Sequence, residues 1–172
     1  MKNSQQFSKY NLVFGDLFQE IKKFDGDVLI PHVVGNESYF NADSGFANIL
    51  SKNYPIVKAN YELKVSHKLG DCQFIDIDAK NKNKFIFVNM VAQNINKKSS
   101  RKINYLALVK CMIQVNSYIK TKYASLDANK VSICTPKFGC GSSGGGNWNF
   151  ISDLIEDIWG DFQVYVYTPR KS

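Results

Sequence analysis

The run of residues from Pro136 to Trp148 contains five glycines and two serines, and it lies between an apolar, β-branched run (131–135) and an amphipathic segment (150–159). A loop of this composition between a strand and a helix can fold its backbone N–H groups around phosphate oxygens. Glycine permits the positive φ angles that such a loop needs, and it leaves room for a ligand. The pattern favours a phosphate site, and a plain flexible surface loop is the alternative.

Three side chains inside this loop have atoms that could do chemistry. Ser142 and Ser143 are expected to donate hydrogen bonds to phosphate, because no Ser-His-Asp arrangement is evident from the sequence. Cys140 has no neighbouring residue that supplies the base or positive field of a nucleophilic cysteine. We therefore interpret Cys140 as a packing residue.

Two further candidates follow predicted strands. Asp16 comes directly after the first strand, where it can cap a helix or accept a hydrogen bond from an exocyclic amine such as that of adenine. The two roles are compatible because they can use different carboxylate oxygens. His32 falls near the end of the second strand, where it is either a structural group or a catalytic one. His67 lies in a polar stretch and is interpreted as a surface residue.

A second polar cluster follows His32 and leads into a predicted helix. Its members are Asn36, Asn41, Asp43 and Ser44, and the turn ends at Gly45. A helix N-terminus beside a glycine is a further anion-binding site. Two phosphate sites and an amine acceptor together indicate a ligand of the nucleoside diphosphate class.

The elements that must position these residues alternate between strands and helices. Strands are predicted at 10–14, 27–34, 72–77, 84–91, 131–135 and 162–167, and helices at 16–24, 43–54, 56–65, 104–123 and 149–159. Pro31 is expected at the end of its strand or at a bulge, because proline cannot donate to a ladder. The polar turn at 78–83 predicts one antiparallel pair. The pattern as a whole indicates an α/β fold with a mixed, mainly parallel sheet, whose ligands gather at the carboxyl ends of the strands.

Composition narrows the class of protein. A chain of 172 residues with 44% hydrophobic and 22% charged residues is typical of one soluble globular domain. No apolar run approaches the roughly 20 residues of a membrane span, and residues 1–6 lack the apolar core of a secretion signal. The four cysteines show no CxxC spacing, so neither a zinc site nor a disulfide scaffold is indicated. We expect a cytoplasmic monomer.

The net charge of +7 is densest at residues 97–102. This run is expected to be a solvated loop that can steer small anions. Nucleic-acid binding is the weaker alternative, because no aromatic residues interleave with the charges to stack bases.

Four segments taken in order, 13–17, 28–36, 44–46 and 136–141, resemble the macro domain family. Within that family the chain looks most like the small ADP-ribose 1''-phosphate phosphatases and their relatives encoded by bacteriophages, which would place it in a host cytoplasm. Segments 68–72, 87–93 and 164–167 fit the same subgroup. The resemblance covers residues 10–168, so that one macro domain spans the chain.

The resemblance implies a three-layer α/β/α sandwich that binds ADP-ribose or ADP-ribose 1''-phosphate in a cleft, without cofactor or metal. The implied activity is hydrolysis of the 1''-phosphate, with His32 assisting. A non-catalytic ADP-ribose reader and a hydrolase of ADP-ribosylated protein or nucleic acid are the alternatives. By resemblance, the ligand-binding residues are Asp16 and Leu17 at adenine, Ser44, Gly45 and Phe46 at the distal ribose, Gly139, Cys140, Gly141, Ser142, Ser143 and Gly144 at the diphosphate, and Tyr167 near the adenosine.

Three departures from the family pattern bear on mechanism. Glutamyl ADP-ribose hydrolases of this branch use a lysine and an aspartate where this chain has Gln93 and Ser143. A mechanism through a lysine adduct is therefore not expected. Asp43 adds a carboxylate near the distal ribose, which makes it a second catalytic candidate. The late loop is one residue longer, at 144–146.

Overall fold

The computed structural model describes residues 10–37, 45–80, 82–124, 130–141 and 144–169. Five helices alternate with six strands along these residues, and a 3₁₀ turn (Ile21–Lys23) extends the first helix. The strands are β1 (Asn11–Phe14), β2 (Asp27–Gly35), β3 (Cys72–Asp78), β4 (Lys84–Gln93), β5 (Val131–Pro136) and β6 (Gln163–Thr168). The helices are α1 (Leu17–Glu20), α2 (Phe46–Asn53), α3 (Pro55–Glu62), α4 (Tyr105–Lys122) and α5 (Trp148–Trp159).

The six strands form one sheet in the order β1-β6-β5-β2-β4-β3. All neighbouring strands are parallel except β3 and β4, which pair antiparallel from Cys72 opposite Met90 to Asp78 opposite Lys84. The predicted mixed, mainly parallel sheet with one antiparallel pair is confirmed.

Helices cover both faces of this sheet. Helices α4 and α5 bury one face, where Leu29 and Ile133 pack with Trp159. Helices α1, α2 and α3 bury the other, where Val28 and Phe87 belong to the same cluster as Leu50. Because β2 and β4 are buried on both faces, they are apolar along nearly their whole length rather than alternating. The three-layer α/β/α sandwich is confirmed.

The position of Pro31 differs from the prediction. It lies in the interior of β2, in register with Val88 of β4, and the irregularity in this ladder falls between Val34 and Gly35. Strand β2 pairs with β5 only from Asp27 to Leu29. The Pro31 carbonyl accepts a hydrogen bond from Thr135 Oγ1 of β5 at 2.8 Å. The Pro31 nitrogen, which has no hydrogen to donate, faces β5 as well, beyond the last residue that β2 pairs with that strand. The proline therefore costs no ladder bond, and the two strands part here.

Helix boundaries follow local capping. Asn104 caps α4 by accepting from the Ala107 N–H at 3.0 Å, and Asn147 caps α5 by accepting from the Asn149 N–H at 2.9 Å. Helix α3 begins at Pro55 and ends three residues before the predicted boundary at 65. The predicted helix at 43–54 begins at Phe46 within the described residues. No helix in the described ranges combines the length and apolar character needed to cross a membrane.

Candidate ligand-binding cleft

The parting of β2 and β5 creates a crevice at the carboxyl edge of the sheet. Strand β2 leads into α2 and α3 on one face, whereas β5 leads into α5 on the opposite face. Neighbouring parallel strands whose connections leave in opposite directions define the point where α/β sheets bind ligands. The described start of α2 and the described part of the glycine-rich loop after β5 both follow strands that end at this point of the sheet.

Asp16 lies at the same edge, directly after β1. Its Oδ1 accepts a hydrogen bond from the Phe18 N–H at 2.9 Å and so caps α1. The carboxylate is exposed, which leaves it accessible to a ligand while it caps the helix. The following residue, Leu17, is buried. The predicted role of Asp16 as a helix cap is thus present, and its role as an acceptor for the adenine amine stays a prediction.

Two aromatic rings pack against each other where α2 begins. Phe46, the first residue of α2, stacks on Phe18 with ring centroids 5.3 Å apart and an angle of 15° between the planes. Gly45 precedes it with a φ of 84°, in the region that favours glycine, and no described residue comes within 4 Å of a Cβ built at this position. Gly45 itself is exposed. Phe46 is one of the predicted ligand-binding residues, whereas its stacking partner Phe18 carries no comparable signal in the sequence.

His32 faces the same layer from β2. Its ring is 2% exposed and lies 5.7 Å from the Phe46 ring, centroid to centroid. Burial lowers the pKa of His32 to about 4, with a smaller opposing effect from the backbone of Ile30. The imidazole is therefore neutral at pH 7.

The glycine-rich loop turns back on itself after β5. The Gly145 N–H donates to the Gly141 carbonyl at 2.9 Å, and the Gly146 N–H donates to the Gly139 carbonyl at 2.8 Å. A Cβ on Gly144 would lie 2.4 Å from the Gly139 oxygen, whereas a Cβ on Gly141 would meet no described residue within 4 Å. Loop packing therefore requires glycine at position 144, and Gly141 is exposed.

Two polar side chains at the ends of β2 and β4 connect the loops around the crevice. The Asn36 N–H donates to the Gln93 carbonyl at 3.0 Å, and Asn36 Oδ1 accepts from the Ile95 N–H at 3.1 Å. Gln93 Nε2 is 3.1 Å from the position of a Cβ on Gly144, so this amide lies against the glycine-rich loop. The residue at the position of the family's lysine thus lies beside the crevice.

Two further residues predicted to bind the ligand are shielded from solvent to different degrees. Tyr167 is buried in the core, and its hydroxyl hydrogen-bonds with Cys134. Burial raises the pKa of both side chains, and that of Cys134 rises to about 12. Cys140 is half-buried, and burial raises the pKa of its thiol. The predicted site residues Asp43, Ser44, Ser142 and Ser143 lie outside the described residues.

Two sequence interpretations need correction. His67 is not a plain surface residue, because its ring stacks on Tyr61 at 4.0 Å and its Nε2 lies 2.9 Å from the Tyr61 carbonyl oxygen. The basic run at 97–102 does have an aromatic neighbour, because the Arg101 guanidinium lies 4.6 Å from the centroid of Tyr105. Among the described residues, no group of three or more His, Cys, Asp or Glu side chains is arranged to hold a metal ion.

No protein-family model matches the sequence, and no curated protein matches it. Solved structures do match. A protein of unknown function from Bacteroides thetaiotaomicron is 26% identical with a TM-score of 0.70, over 92% of this chain and 96% of its own. A macrodomain protein from Streptomyces coelicolor is 23% identical with a TM-score of 0.66, over 92% and 98%. An Oceanobacillus iheyensis macrodomain variant, solved with ADPR, is 14% identical with a TM-score of 0.51, over 94% and 84%. The chain therefore has the macrodomain fold.

Proposed function

We propose that the protein binds ADP-ribose and hydrolyses the 1''-phosphate of ADP-ribose 1''-phosphate. The observation that carries this proposal is that β2 and β5 stop pairing at Leu29, with the glycine-rich loop following β5 and the start of α2, at the exposed Gly45, following β2. Asp16 lies at the same edge as an acceptor for the adenine amine. The Oceanobacillus macrodomain, solved with ADPR, supports the ligand class.

The proposed reaction is hydrolysis of a phosphate monoester. The oxygen of a water molecule attacks phosphorus, the bond from phosphorus to the ribose oxygen breaks, and that oxygen takes up a proton. The two loops hold the diphosphate and thereby orient the terminal phosphate for attack. Backbone N–H groups of the glycine-rich loop stabilise the charge that develops on its oxygens.

His32 and Asp43 are the proposed polar groups of the reaction. A histidine with a pKa of about 4 is neutral at pH 7. It can accept a hydrogen bond or a proton, but it does not supply a proton as an imidazolium at this pH. We therefore assign His32 to positioning of the terminal phosphate or water. Asp43 is the proposed base for water.

Phosphorus NMR of ADP-ribose 1''-phosphate tests this proposal directly. The wild-type protein should convert it to ADP-ribose and inorganic phosphate. Gly141→Glu should abolish conversion, because it adds a negative charge to the loop that is proposed to hold the diphosphate. Gln163→Glu adds the same charge at the opposite edge of the sheet and serves as the matched control. Equal turnover by both variants would contradict the proposed site.

A non-catalytic ADP-ribose reader is the second candidate function. The observation in its favour is the burial of His32 beneath Phe46, which separates this imidazole from bulk water. In that case the diphosphate signals should broaden without release of phosphate, and His32→Ala should leave the turnover at zero. The presence of Gln93 rather than lysine argues against a hydrolase that works through a lysine adduct.

A further inference from the structure

A basic loop lies outside the crevice and is held rigidly in place. This loop, residues 94–102, is closed by an antiparallel bridge between Gln93 and Ile103. Within it the Asn94 N–H donates to the Lys102 carbonyl at 2.9 Å. The Lys102 ammonium turns inward and donates to the Lys97 carbonyl. The remaining cations of the loop are therefore presented by an ordered backbone.

The basic loop packs directly on the glycine-rich loop. The Ile103 N–H donates to the Gly144 carbonyl at 3.0 Å. A Cβ on Gly145 would lie 2.8 Å from the Ser100 carbonyl oxygen, so the two backbones are in contact. Any chain attached to a ligand in the crevice that leaves across the glycine-rich loop meets the basic loop next.

Aromatic rings accompany the cations on this surface. Arg101 lies over Tyr105, and the Tyr105 ring meets the Phe150 ring at 4.6 Å with an angle of 66°. Phe150 is 43% exposed. The folded chain thus supplies from α4 and α5 the aromatic rings that are missing from the basic run itself.

We infer that this cation–aromatic surface (Lys97, Lys98, Arg101, Tyr105 and Phe150) binds a single-stranded nucleic acid. Sequence-independent binding of single strands requires cations for the phosphates and aromatic faces on which bases stack. An acidic polypeptide would use the cations but not the faces.

Salt dependence gives the first quantitative expectation. Three cations (Lys97, Lys98 and Arg101) are available on the surface. If each contacts one phosphate of a single strand, the logarithm of the association constant should fall with the logarithm of salt concentration with a slope of about −2. Replacing Lys98 and Arg101 by glutamine should reduce this slope by about two thirds. Replacing Lys22 and Lys80, two exposed lysines at the other edge of the sheet, by glutamine removes the same charge and should leave the slope unchanged.

The aromatic contribution separates this proposal from simple charge attraction. Phe150→Ala should weaken binding about tenfold with an unchanged salt slope, because it removes a stacking face but no charge. Phe150→Tyr should retain the affinity. Leu63→Ala, at an 82% exposed apolar side chain beyond α3, is the matched control and should have no effect.

The experiment is fluorescence anisotropy with a labelled oligothymidine of about 12 nucleotides, with polyglutamate as competitor. Binding that resists polyglutamate and follows the variant pattern supports the inference. Wild-type protein that fails to bind, or Phe150→Ala that binds as tightly as wild type, overturns it. Calorimetry with ADP-ribose on the same proteins keeps the two proposals apart. Wild-type protein that binds ADP-ribose but not oligothymidine refutes the surface alone. Wild-type protein that binds oligothymidine but not ADP-ribose refutes the cleft alone.

Discussion

Acidification should destabilise this protein through His32. The folded-state pKa of about 4 lies below the ordinary value of 6.5 because the ring is buried. Between these two pH values the unfolded chain binds a proton at His32 that the folded chain does not bind. The free energy of unfolding therefore falls as the pH drops from about 6.5, and it levels off near pH 4, where the folded state is protonated as well.

The magnitude follows from the size of the shift. A difference from 6.5 to about 4 corresponds to about 3 kcal/mol over the full interval, at 1.36 kcal/mol for each pKa unit. At pH 5 about 2 kcal/mol of this should already be lost. Such a change is a large part of the stability of a domain of this size.

The measurement is urea unfolding from pH 8 to pH 4.5, for the wild type and for His32→Gln, which has no group to titrate. Other groups contribute to acid unfolding in both proteins, so the informative quantity is the difference between their unfolding free energies at each pH. This difference should be constant above pH 7 and then change by about 2 kcal/mol by pH 5. His67→Gln, which removes the other histidine, is the matched control. Its free energy of unfolding should depend on pH through His32 as that of the wild type does.

A direct titration guards against a variant that does not fold. The imidazole proton signals of the wild type, followed by NMR, should show one histidine that stays neutral down to about pH 4. A His32 that titrates near 6.5, or a flat difference between wild type and His32→Gln, would refute the argument that burial keeps this ring neutral. It would also restore His32 as a candidate proton donor in the proposed reaction.

Three further predictions concern the site and the core. Asp16→Asn should keep the α1 cap yet weaken adenine recognition about tenfold in calorimetry, whereas Asp16→Ala should also cost about 1 kcal/mol in urea unfolding. Gly144→Ala should destabilise the fold by about 2 kcal/mol, because its Cβ meets the Gly139 oxygen. Gly141→Ala is the control and should leave the stability unchanged; a destabilised Gly141→Ala would contradict the loop geometry. Asp27→Ala should lower the free energy of unfolding by about 2 kcal/mol, because Asp27 accepts hydrogen bonds from the Tyr123 hydroxyl and the Lys84 N–H. The control is Asp161→Ala, which removes an exposed ion pair with Lys120 and should leave the free energy of unfolding nearly unchanged.

The sheet could be predicted from the sequence because its strands carry strong local signals. The apolar runs of β2 and β4 and the polar turn between β3 and β4 specify buried strands and one antiparallel pair without any long-range information. The layers follow from the alternation of strands and helices. The predicted starts of α4 and α5, at 104 and 149, lie within one residue of the observed ones, whereas the predicted end of α3 lies three residues beyond the observed one.

The cleft was predictable only where one segment carries the signal. The glycine-rich loop and Asp16 are local, and both lie at the expected edge. The stack of Phe46 on Phe18 and the contact of Arg101 with Tyr105 join residues from different elements, so no spacing in the sequence reveals them. The neutral state of His32 is also a consequence of tertiary burial. Resemblance to the family suggested the residues but not these contacts.

Pro31 shows how a local rule can mislead and still identify the site. The rule that proline ends a strand assumes that both sides of the strand continue in the sheet. Here the partner on one side has already separated, so Pro31 keeps its full pairing with β4, and Thr135 satisfies its carbonyl. The pairing of β2 with β5 ends at Leu29, two residues before Pro31. The residue that the rule placed at a strand end thus marks where these two strands stop pairing, at the edge where we propose that the diphosphate binds.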